Sequence, residues 1–158
     1  FDTSAALLKQ YSEVHMGKAS VLLLPYVTLY ERICWGKYAK TSGCAGFANS
    51  NAKVMVIHSS DDSTVFAENG YNRYYEKFAK DDRFVFKMYS DRGHSYPVNS
   101  DVGRACRAKI KEGYFKVVNK SGDAAGEAYI QTHMDREGCM QLDEPLMQEI
   151  LELFQRAM

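Results

Sequence analysis

The stretch KVMVIHSSDDSTV, residues 53–65, decides how this chain is read. Residues 54–57 are four consecutive apolar residues, and Val54, Val56 and Ile57 are β-branched. That composition predicts a central strand of a parallel sheet, covered on both faces. The small polar residues 59–64 then form a loop. In residues 68–80 Tyr71, Tyr74, Tyr75 and Phe78 fall on one helical face, read as a packing face and not a binding platform. Residues 83–89 alternate Phe84, Phe86 and Met88 with Val85, Lys87 and Tyr89, which predicts a second strand ending in the turn 90–93 just before His94. A helix of that length returns the chain to begin a parallel neighbour, so a βαβ unit is expected.

Ligands and catalytic groups collect at the carboxyl ends of parallel strands, and both chemistry-bearing loops sit there. Neighbouring strands lie about 4.8 Å apart, which brings a carboxylate of one loop within reach of an imidazole on the next. A carboxylate bonded to one ring N–H fixes the tautomer and leaves the other nitrogen free to deprotonate a nucleophile. Asp61 and Asp62 compete for the acid role, because adjacent side chains on an extended loop point opposite ways.

On the N-terminal side, Leu7, Leu8, Tyr11, Val14 and His15 recur at helical steps behind the caps Asp2, Thr3 and Ser4. A second helix is expected over residues 21–35, with Pro25 in its first turn or kinking it, either as a core helix or as a lid lining an acyl pocket. The small residues 41–46 break the pattern. These features divide the chain into a helical cap or lid segment, residues 1–48, and a core, residues 49–158. Residues 97–138 read as connecting structure around a basic stretch at 104–116. Asp143, Glu144 and Pro145 start a closing helix, striped by Leu146, Met147, Ile150, Leu151 and Phe154, that is expected to cover the sheet.

The 158 residues carry 20 Lys+Arg and 20 Asp+Glu, so no net field attracts nucleic acid or an acidic membrane surface. With 46% hydrophobic residues and only 3 Pro, the chain is an ordinary globular one. The apolar run at residues 21–27 is far short of the roughly 20 residues that span a bilayer. Cys34, Cys44, Cys106 and Cys139 are widely spaced, and together with His15, His58 and His133 they match no metal-site spacing. Reduced thiols in the cytoplasm and no cofactor are expected. The chain starts at Phe1, so residues upstream are expected to have been removed or left out.

Residues 54–65, a helix, and then Asp91-Arg92-Gly93-His94-Ser95 resemble the C-terminal half of an α/β-hydrolase of the serine hydrolase type. Ser59 stands where that family usually has Gly, and Phe66 where it often has Pro. The resemblance implies an α/β fold of parallel strands with flanking helices, with Asp62 as triad acid by its spacing from His58 and Val65, and His94 as triad base. It implies esterase, lipase or peptidase chemistry on a small acyl substrate. It also implies a nucleophile in a G-x-S-x-G turn, and that motif is absent here. At 158 residues the chain is short for such a fold, so it is expected to be a fragment, inactive alone, that needs the nucleophile-bearing N-terminal half as partner or else forms a homodimer. A noncatalytic binding module and an Asp-nucleophile hydrolase are the alternatives.

Overall fold

β1 (Val54–Ser59) and β2 (Phe84–Tyr89) pair in parallel, with Val54 opposite Phe84 and Ser59 opposite Tyr89. The computed structural model in which they lie describes residues 2–155. Between the strands runs α4 (Tyr71–Phe78), which completes the expected strand-helix-strand unit. Its aromatic face is the core. Tyr74 and Phe78 are buried against Phe84, and the Phe78 and Phe84 rings stack with centroids 4.4 Å apart. Tyr71 and Tyr75 meet Phe86 edge-on at 5.6 and 5.2 Å. Phe47, from α3 (Gly43–Ala48), lies edge-on to Phe84 at 5.6 Å. Each fully buried side chain of this size stabilises the fold by about 1.5–3 kcal/mol.

Ahead of the sheet, α1 (Ser4–Met16) starts at Thr3, whose hydroxyl accepts from the Ala6 N–H. Pro25 sits in the first turn of α2 (Leu24–Trp35), where its missing N–H costs nothing. Both helices run on into 3-10 turns, Gly17–Leu22 and Gly36–Lys40.

The expected architecture is overturned. The chain is mostly helical, 66% of it, and the described residues hold one sheet of two parallel strands. It does not have the form of the C-terminal part of an α/β-hydrolase. β1 is not a central strand, since it has a strand on one side only, and residues 54–58 are half-buried and not covered on both faces. The physical reason lies in the pattern: outside 54–59 and 84–89 the chain offers no further run of β-branched or alternating apolar residues.

Two compact units divide between Pro97 and Val98: residues 2–97 carry the sheet, and residues 98–155 form the second unit. Residues 1 and 156–158, which fall within the expected segments 1–48 and 49–158, lie outside the described residues. The stretch read as connecting structure is instead a helical hairpin, α5 (Asp101–Ser121) and α6 (Asp123–His133). Ser100 caps α5 by accepting from the Gly103 N–H, and Gly122, at φ 82°, ends it. Gly126 lets the two helices close up, because a Cβ there would collide with Val118. The short α7 (Arg136–Cys139) follows, then α8 (Glu144–Gln155), which belongs to this second unit and buries Leu146.

The expectation of four reduced cysteines also fails. Cys106 on α5 is joined to the fully buried Cys139 on α7 by a disulfide, 33 residues apart in sequence, while Cys34 and Cys44 are free. Closing a loop of that length is worth about 2–4 kcal/mol, largely by constraining the unfolded chain. Replacing both Cys106 and Cys139 with Ser should lower the protection of α5 and α6 amides in hydrogen exchange by that amount. A thiol reductant should bring the parent chain to the same level and leave the double variant unchanged.

Candidate functional site

The carboxyl ends of β1 and β2 open into the loops that carry Asp62 and His94. The in-register pairing extends one step beyond the strands, where the Ser60 N–H donates to the Tyr89 carbonyl at 2.8 Å. Asp62 turns inward. Its Oδ1 accepts from the Thr64 and Val65 N–H groups at 2.8 and 2.9 Å, closing a tight local turn. Its Oδ2 meets Nδ1 of His94 at 2.9 Å. The Asp62 side chain is 5% exposed and that of His94 is 46% exposed, so the acid is sheltered and the imidazole reaches toward solvent. Among the described residues Nε2 of His94 makes no hydrogen bond.

Burial alone pushes the Asp62 carboxyl up. The Val65 N–H, the His94 ring and the Thr64 N–H outweigh it and hold the group below its ordinary value. A second imidazole stands nearby: Nδ1 of His58 lies 4.0 Å from Asp62 Oδ2, beyond hydrogen-bond distance. His58 packs against Tyr71 with centroids 6.0 Å apart, and burial pushes its pKa down.

Asp61, the competing acid, does not touch the imidazole ring. Its Oδ1 accepts from the Ser59 hydroxyl and from the Gly93 N–H at 3.0 Å, and these bonds hold its carboxyl below the usual range. Ser59 Oγ in turn accepts from the Arg92 N–H at 2.9 Å. Arg92 lays its guanidinium 3.4 Å over the Tyr89 ring and donates to the Pro97 carbonyl at 2.7 Å. Gly93 adopts φ 60°, a left-handed conformation that a side chain would strain.

The acid loop is anchored from the far side by the buried Gln10 of α1. Its Nε2 donates to the Thr64 carbonyl at 2.9 Å, and its Oε1 accepts from the Phe66 N–H at 3.0 Å and from Asn69 at 2.6 Å. No signal in the sequence marks Gln10, which is 54 residues from Thr64 in the chain. Ser59 did carry one, as a Ser where the resemblance alone would lead one to expect Gly. Beside Asp62 an open cleft of about 570 Å³ is walled by Phe66 and Met88, with Glu68 and Asn72 as polar groups. No group of His, Cys, Asp and Glu able to hold a metal occurs among the described residues.

The geometry therefore pairs an orienting carboxylate with a half-exposed imidazole, an arrangement that can move a proton at Nε2. No family model, curated protein or solved structure matches the chain.

The depressed pKa gives Asp62 a defined pH signature. A carboxyl titrating below its ordinary 3.8 when folded contributes stability that is complete above that value and is lost as pH falls through the folded-state pKa. Asp62→Asn should cost on the order of 1–3 kcal/mol near neutrality. Urea unfolding followed across pH should show that gap intact above about pH 4 and closing below it. A gap that persists unchanged in strong acid contradicts the assignment.

Proposed function

We propose that this chain supplies the acid-base half of a hydrolase that cleaves an ester or amide bond through a Ser-His-Asp triad, its nucleophile lying outside the 158 residues. His94 acts as general base and then general acid at Nε2, and Asp62 fixes its tautomer and stabilises the imidazolium. The observation that carries the reading is the 2.9 Å contact between the sheltered Asp62 and His94 Nδ1. Asp62 fits poorly as a nucleophile, because Oδ1 is held by two N–H groups and Oδ2 by the imidazole. The 570 Å³ cleft beside Asp62 is large enough for a small acyl group, with Phe66 and Met88 against its apolar part, but His94 does not line it.

The nucleophile comes on a polypeptide that covers this chain. A two-stranded parallel sheet leaves backbone donors and acceptors open at its outer edges, and parallel sheets are normally covered. The N-terminal helices support the same reading. Gln10, Ser20 and Glu31 are buried, while Leu22, Tyr26 and Ile33 are 72–73% exposed. That distribution suits a segment that packs outward against a partner. A second copy of the chain is a poorer partner, since it too lacks a G-x-S-x-G motif. The open edges also favour the second reading, a noncatalytic binding module.

No helix among the described residues is long and apolar enough to cross a membrane. A cytoplasmic location is supported by the free thiols Cys34 and Cys44, and the Cys106–Cys139 bond weighs against it, because disulfides persist in oxidising compartments.

Alone, the chain should not turn over p-nitrophenyl acetate. Joined by the nucleophile-bearing polypeptide it should, and Asp62→Asn should then lower turnover by up to about 10⁴, the size of the equivalent loss in a serine protease, with Asp61→Asn costing much less. Turnover by the chain alone that His94→Ala abolishes would overturn the external nucleophile. Activity of the joined protein that survives His94→Ala would favour the binding module.

A further inference from the structure

We propose that Ser59 and Asp61 are positioning residues that clamp the histidine loop to the acid loop and so hold His94 against Asp62, an inference that rests on the acid-base reading above. Three hydrogen bonds make the clamp. The Ser59 hydroxyl donates to Asp61 Oδ1, the same carboxylate oxygen accepts from the Gly93 N–H at 3.0 Å, and Ser59 Oγ accepts from the Arg92 N–H at 2.9 Å. Two consecutive backbone N–H groups immediately before His94 are thereby fixed to groups on the β1 side. Ser59 is 1% exposed and bonded both as donor and as acceptor, so its hydroxyl has no rotational freedom left.

The need for such a clamp follows from the loop itself. Gly93 at φ 60° gives the backbone before His94 a conformation that glycine also leaves easily. His94 is half-exposed, and the described structure shows one bond to its ring. Without the clamp the imidazole would be held to Asp62 by that single contact, at a cost in side-chain and loop entropy that a single surface ion pair seldom offsets. Asp61 thus has a role distinct from that of Asp62: it fixes where the loop lies, and Asp62 fixes which ring nitrogen carries the proton.

The tautomer of His94 tests this directly, through ring ¹⁵N shifts of the 158-residue chain at a pH where imidazoles are neutral. The chain has four histidines, to be assigned one by one by substitution, and His133, whose Nδ1 meets the Tyr129 carbonyl at 3.0 Å, serves as internal reference. In the parent chain His94 should be in the Nδ1–H form. Asp62→Ala should shift it to the Nε2–H form, and Ser59→Ala, which changes no charge, should shift it in the same direction by a substantial part of that change. Asp61→Ala, which removes the acceptor oxygen that an Asn amide would keep, should do likewise, with His133 unmoved in each variant. If Asp62→Ala shifts His94 while Ser59→Ala and Asp61→Ala leave it in the parent form, the clamp is wrong and the acid-base pair stands. If Asp62→Ala leaves the tautomer unchanged, the pair fails and the clamp with it. Should Ser59→Ala unfold the unit that carries the sheet, read as loss of its cooperative urea transition, the exposed Asp61→Ala decides the matter alone.

Discussion

Everything at the site depends on the parallel, in-register pairing of β1 with β2. With Ser59 opposite Tyr89, both strands end at the same level and their loops leave the sheet on the same edge. An antiparallel pair would have put Asp62 and His94 at opposite ends. A slip of one residue would have turned Phe84 and Phe86 away from α4, since side chains alternate faces along a strand. The aromatic cluster of Tyr74, Phe78 and Phe84 therefore helps hold the two strand ends level, although none of its members lies in the loops.

Within the loops, charge and burial work against each other. Sheltering a carboxylate is costly unless donors replace the lost water. Asp62 has two backbone N–H groups and an imidazole, and their combined effect exceeds that of burial. His58 sits close enough to have competed for the same oxygen. Its Nδ1, at 4.0 Å, stands outside hydrogen-bond distance, so the short imidazole contact of Asp62 is the one to His94.

What the sequence made legible was local. Two short runs with opposite apolar signatures, one continuous and one alternating, gave both strands, and an aromatic face at helical spacing gave the helix between them. The Asp62 and His94 juxtaposition followed from those elements. The choice between Asp61 and Asp62 did not, because it turns on which carboxylate the Thr64 and Val65 N–H groups capture. The whole-fold expectation failed because a resemblance over some forty residues was extended to the rest. In α5 the apolar residues are interrupted by Gly103 and Gly113 and diluted by basic ones, so the helix is announced by its ends, Ser100 and Gly122, and not by its stripe. The pairing of Cys106 with Cys139 depends on how α5 and α7 meet, which spacing alone does not encode.

Gln10 ties together positions that are remote in the chain. One side-chain amide satisfies the Thr64 carbonyl, the Phe66 N–H and the Asn69 amide. An apolar residue of similar size at position 10 would strip all three groups of their partner at once. Two of those groups are backbone and stay whatever side chains the loop carries, so in terms of residue identity the tie joins position 10 to Asn69 alone, and a change at one should be answered at the other.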